Sequence, residues 1–163
     1  MSFNDFWYVF YDMIYYYNVP DEWVFQRLYN SRINAEGWLQ VRYHTKAAFY
    51  CEICKKNWKS ARTTILFQCK FDEQQNFGKV QMKRFGQQCK DCGEGTTYYP
   101  AQYNLDQICR SLQVLFVKVL QEFYGYQIQQ GGGRYRRPKT TTPPHASKYC
   151  EACHYRVCGQ EEE

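Results

Sequence analysis

A chain of 163 residues has room for one compact domain with a modest core, and an aromatic share of 19% excludes a disordered, solvent-dominated polymer. Its formal charge of +5 and pI of 8.7 admit nucleic acid as a partner without requiring it. No stretch approaches the eighteen or so uncharged apolar residues that a membrane-spanning helix needs.

Residues 1–17 are rich in aromatics, and Phe3, Phe6, Trp7, Phe10, Tyr11 and Ile14 fall on one face of a short helix. Asp5 and Asp12, the lack of a basic start and the lack of a small-residue cleavage site argue against a secretory signal, so the thiols are expected in a reducing compartment. The same acidic residues disfavour anionic lipid and leave core or partner contact as the role of this face. Residues 23–29 and 38–43 read as strands. Residues 63–71 alternate, with Ile65, Phe67, Cys69 and Phe71 on one side; after a polar turn over 72–78, residues 79–85 return as the second strand of a hairpin. Residues 104–124 carry Leu105, Ile108, Cys109, Leu112, Phe116, Val119, Leu120 and Phe123 at helical spacing, with Asn104 and Gln107 as a cap and Gly125 as a stop. Residues 129–147 break the composition with three glycines, a basic run and a Thr/Pro tract, which reads as a mobile basic loop.

The nine cysteines form three pairs, Cys51/Cys54, Cys89/Cys92 and Cys150/Cys153, with Cys69, Cys109 and Cys158 as singles. Two intervening residues let both sulfurs of a tight turn face one ion, the recurrent spacing of tetrahedral zinc sites. Two all-sulfur sites take eight ligands, and Cys109, on the apolar face of a helix, is the outsider, expected as an ordinary buried thiol. A hairpin that links two such turns has the layout of a zinc ribbon, so Cys51, Cys54, Cys89 and Cys92 are the preferred first site. By elimination Cys69, Cys150, Cys153 and Cys158 make the second, although Cys69 also suits a strand's core face and three pairs can be matched in more than one way.

The succession of Cys51-x-x-Cys54, Trp58, Ser60-Ala61, Cys69, the run from Met82 to Cys92, the helix, and Cys150-Glu-Ala-Cys-His-Tyr-Arg-Val-Cys158 resembles the 3CxxC-type zinc finger of receptor-transporting proteins. The resemblance implies a zinc-binding chaperone or adaptor, peripheral to the membrane through its partners, that helps G-protein-coupled receptors of the odorant or taste type reach the cell surface. It also implies an alternative, since some relatives bind RNA in antiviral or translational roles. Family members commonly carry a C-terminal membrane anchor, whereas this chain ends on an acidic 161–163. The expected organisation is an aromatic segment over 1–37 leading into a finger over 38–160. The fold class expected is α+β, with zinc-ribbon-like antiparallel strands, one long amphipathic helix and two structural zinc sites. The expected location is the cytoplasm, at the cytosolic face of the endoplasmic reticulum or plasma membrane.

Zinc also changes the charge reading, because each four-thiolate site carries a net −2 and the loaded chain falls to about +1. The remaining candidates for nucleic-acid contact are local: Lys55, Lys56, Trp58, Lys59 and Arg62 beside the first pair, and Arg134, Arg136 and Arg137 in the loop. Catalysis is disfavoured. A zinc deaminase needs His-x-Glu and a Pro-Cys-x-x-Cys turn, and neither occurs. His44 and His145 stand apart, and His154 adjoins Cys153 as a substitute ligand at most.

Overall fold

The computed structural model describes residues 3–93, 95–127 and 146–159. Four strands form one mixed sheet in the order β1-β4-β3-β2, with β1 at Glu22–Arg27, β2 at Leu39–Tyr50, β3 at Asn57–Asp72 and β4 at Phe77–Arg84. β2, β3 and β4 run as an antiparallel meander, as the hairpin pattern requires. β1 departs from the all-antiparallel expectation. It lies parallel to β4, pairing Trp23 with Gly78 and Phe25 with Val80, because the meander leaves only its outermost edges free and β1 takes the β4 edge. The expected hairpin turn is where the sequence placed it, while β3 begins well before the alternating run at 63–71.

β3 is the central strand, and residues 63–69 are buried on both faces. One face, bearing Val41, Ile65, Phe67, Val80 and Met82, packs against helix α1 (Phe3–Tyr16) and helix α2 (Leu105–Tyr124). Phe6 and Phe10 are the buried anchors of α1, and Phe10 stacks on Phe25 at 4.8 Å and meets Phe116 of α2 at 5.3 Å. Gly78 lets the Trp23 ring lie across β4, since a Cβ there would stand 2.2 Å from that ring. The Trp23 indole then donates to the Tyr124 hydroxyl at 3.0 Å, which donates to Asp21 at 2.7 Å, tying the end of α2 to the start of β1.

The opposite face carries a smaller cluster of Leu28, Leu66 and Phe85 with Cys150, Ala152, Val157 and Cys158 from the C-terminal arm. Gln68, fully buried there, accepts from the Asn34 amide at 2.8 Å and donates to the Arg32 carbonyl at 3.0 Å, fixing the loop between β1 and β2.

α2 forms where its apolar period lies, and both halves of the Asn104–Gln107 capping box are present, at 2.9 and 3.0 Å. Gly125 ends the helix at φ 65°, in the left-handed region. Two members of the expected apolar face differ: Leu105 in the first turn is 56% exposed, and Cys109 is half-buried rather than buried. Replacing Asn104 by alanine should cost about 1 kcal/mol, read as a lowered urea midpoint at unchanged slope.

Candidate metal centres

Each of the three Cys-x-x-Cys segments closes the same local loop. The amide four residues on from the leading cysteine donates to its carbonyl: Lys55 to Cys51 at 2.9 Å, Gly93 to Cys89 at 3.0 Å and His154 to Cys150 at 3.1 Å. Lys55 at φ 61° and Gly93 at φ 83° occupy the left-handed region directly after the second cysteine of their pairs, reversing the chain beneath the sulfurs.

The first two segments converge. The Sγ atoms of Cys51, Cys54, Cys89 and Cys92 lie within 4.8 Å of one another, with Cys51 to Cys92 and Cys54 to Cys89 both at 3.7 Å. A disulfide would require about 2.05 Å. A tetrahedron of Zn–S bonds of about 2.3 Å has edges of about 3.8 Å, so this donor set fits zinc in both chemistry and size. Cys51 sits at the end of β2, Cys54 before β3, and Cys89 and Cys92 follow β4. The meander thus brings its two loops to one end of the sheet.

Local hydrogen bonding prepares the ligands. The Cys54 amide, and the Tyr99 hydroxyl that lies 3.6 Å from the Cys51 sulfur, draw the Cys51 thiol down to about 6, which favours the thiolate that a metal ligand must be. Cys92 is pushed up to about 12, first by its contact with Cys51 and then by burial, and it would give up that proton as a ligand of a divalent cation. Lys56 and Asp91 join the two loops by an exposed ion pair at 2.9 Å.

The third segment lies across the sheet from the helices. Helix α3 (Glu151–His154) places Cys150 and Cys153, and the turn that follows returns Cys158, so that the three sulfurs also lie within 4.8 Å of one another. The contact with Cys158, followed by burial, raises the Cys150 thiol, and burial raises Cys153 to about 11. Glu151 pins the arm: its Oε1 accepts from the Gly86 amide at 2.9 Å, its Oε2 meets Lys83 at 3.3 Å, and its own amide donates to the Gly86 carbonyl at 3.1 Å.

Cys69, expected as a member of this second set, is not brought to it. Strand parity puts its side chain with Ile65 and Phe67 on the helix-facing side, while Leu66 is the neighbour that faces the arm. Its thiol is fully buried, and burial alone pushes it far up, as for a core residue. Among the described residues the second centre therefore presents three sulfurs, and His145 lies outside them.

The expected nucleic-acid residues are largely engaged elsewhere. Trp58 stacks on Phe49 at 5.2 Å and donates from its indole to the Gln87 side chain at 3.1 Å. Lys56 faces Asp91, and Arg62 turns to Cys158. Lys55 and Lys59 remain exposed, and Arg134, Arg136 and Arg137 lie outside the described residues, as does most of the expected loop over 129–147. Sequence reasoning missed Tyr99 and Gln87, which touch the ligands or their supports; no spacing signal marks either.

Residues 44–156 match the profile of a zinc-binding domain, the 3CxxC zinc ribbon. The chain belongs to this 3CxxC family. It is 33% identical over 127 residues to receptor-transporting protein 3 of Mus musculus, covering 77% of this chain and 27% of that protein. It is 31% identical over 152 residues to receptor-transporting protein 1 of Mus musculus, covering 89% of this chain and 56% of that protein. Receptor-transporting protein 2 of the same organism is 32% identical over 121 residues, or 72% of this chain and 52% of that protein. The chain thus spans from about a quarter to just over half the length of these curated relatives. No solved structure matches it. The family, the sulfur geometry and the spacing agree on zinc as the cofactor of this 3CxxC domain. Among the described residues no helix is long and apolar enough to cross a membrane.

Proposed function

We propose that this 3CxxC protein is a non-catalytic adaptor that assists G-protein-coupled receptors, of the odorant or taste type, in reaching the cell surface. The observation that carries the reading is the similarity to receptor-transporting protein 1 over 89% of the chain. The first centre supports a structural role, because four protein sulfurs fill a tetrahedral ion and leave no position for substrate or activated water. The outer face of α1 supports a binding role: Tyr15 and Tyr16 are 85% and 77% exposed, beside exposed Tyr8 and Trp7. Amphipathic aromatic rings of this kind anchor protein partners at low entropic cost. A working place on the cytosolic side of the endoplasmic reticulum or plasma membrane follows from that role.

The test is co-expression with a panel of odorant receptors and measurement of surface display by antibody on intact cells. The chain should raise display of at least one receptor several-fold, and the Cys89→Ser/Cys92→Ser variant should not. An unchanged surface level across the panel with the zinc-loaded chain would sink the reading.

A further inference from the structure

The pairing of β2 with β3 is regular from Leu39 to Thr45 and again from Ala47 to Tyr50, but it shifts between them, so that Ala61 and Arg62 face the single residue Lys46. Such a bulge re-aims a side chain at the expense of ladder bonds. Here side chains replace those bonds. The Arg62 carbonyl accepts from the Ser60 hydroxyl at 3.0 Å and from the Gln87 side-chain amide at 3.4 Å, and Gln87 also donates to Ser60 at 2.8 Å. Gln87 is itself fixed by paired backbone bonds to Tyr99 at 3.1 and 2.8 Å and by the Trp58 indole.

From this braced position the Arg62 guanidinium reaches the C-terminal arm. Its Nε donates to the Cys158 sulfur at 3.3 Å, and its Nη2 donates to the Cys158 carbonyl oxygen. The fork therefore grips one residue at two points, and Gly159 at φ 79° carries the chain past it. Guanidinium keeps its charge at every accessible pH and strengthens its hydrogen bonds when the acceptor is an anion, which a zinc-bound cysteine sulfur is.

We propose that Arg62 is a positioning residue of the C-terminal zinc centre, holding the Cys158 thiolate in ligand geometry and offsetting its charge. The proposal rests on zinc binding by Cys150, Cys153 and Cys158 and is independent of any role in receptor transport. It also explains why a basic residue in a strand contributes no free cation for nucleic acid.

Co²⁺ alone, titrated into the metal-free full chain against a competing chelator, separates the two centres by their thiolate charge-transfer bands; a Cys150→Ser/Cys153→Ser variant identifies the band of the first centre. Donors to metal ligands typically change affinity by about 10–100-fold. Arg62→Met should weaken the C-terminal centre by about that factor and leave the first centre at wild-type affinity, while Arg62→Lys, which keeps charge but loses the fork, should fall between. Alkylation of Cys158 by iodoacetamide in the zinc-loaded chain, mapped by mass spectrometry, should accelerate in the same order. Two centres of wild-type affinity in Arg62→Met would overturn the proposal. So would equal weakening of both, which would make Arg62 a residue of the fold rather than of that centre.

Discussion

Full chelation of zinc should release residues 146–159 from the sheet while α1, α2 and the four strands stay folded. The two sides of the sheet are held by different forces. On the helix side, rings and aliphatic chains such as Phe6, Phe10, Phe67, Leu112 and Phe116 bury a continuous apolar core that contains no metal ligand of either centre. On the other side, the arm contributes Ala152, Val157 and its cysteines to a small cluster with Leu28, Leu66 and Phe85, and its closure depends on ligation. Structural zinc in peptide-sized fingers supplies apparent energies of about 10–16 kcal/mol, so removing it should exceed what that small apolar patch and the Glu151 contacts retain. Amide exchange across 150–158 should quicken by at least about 100-fold, equivalent to about 3 kcal/mol of local stability, while the central amides of α2 keep their protection. Exchange in the arm that did not change after complete metal removal would mean that packing alone closes it.

Phe10→Ala should do the converse. Phe10 is almost fully buried between Phe25 and Phe116, so truncation leaves a void where α1, β1 and α2 meet, at a cost of about 3–5 kcal/mol. For a chain of this size that corresponds to a melting temperature lower by about 6–20 °C. The zinc content of the folded variant should stay at the wild-type level, because Phe10 belongs to the helix-side core, whose members include none of the clustered sulfurs. Calorimetry together with metal analysis separates the two results: a large loss of zinc from Phe10→Ala would show that core and metal centres melt as one unit.

The parts of this architecture that were legible in the sequence are those specified locally. α2 announced itself because period, cap and stop are all encoded within about twenty neighbouring residues. The first centre was legible for a similar reason: each Cys-x-x-Cys makes its own turn, and a short hairpin carries one to the other. The parallel docking of β1 was not legible, since Trp23 and Phe25 meet partners more than fifty positions away and nothing in their own spacing states the direction of the pair. Cys69 was misplaced by a count. Eight sulfurs divide neatly into two fours, yet the alternation of Ile65, Phe67 and Cys69 already put that thiol on the wrong side of the sheet for the arm. Trp58 and Arg62 read as a surface for nucleic acid because a sequence shows charge and aromaticity but not where a bulge points them.

The parallel pairing of β1 with β4 governs the order in which a ribosome can deliver a finished molecule. β1 leaves the exit tunnel early, but the edge it completes does not exist until residues near Val80 have followed it. For that interval Trp23 and Phe25 have no sheet to join, and α1 has only part of its seat. The nascent polypeptide must therefore hold these aromatic residues in reserve while the meander is made, and this is the stage at which a cellular folding assistant would have most to do.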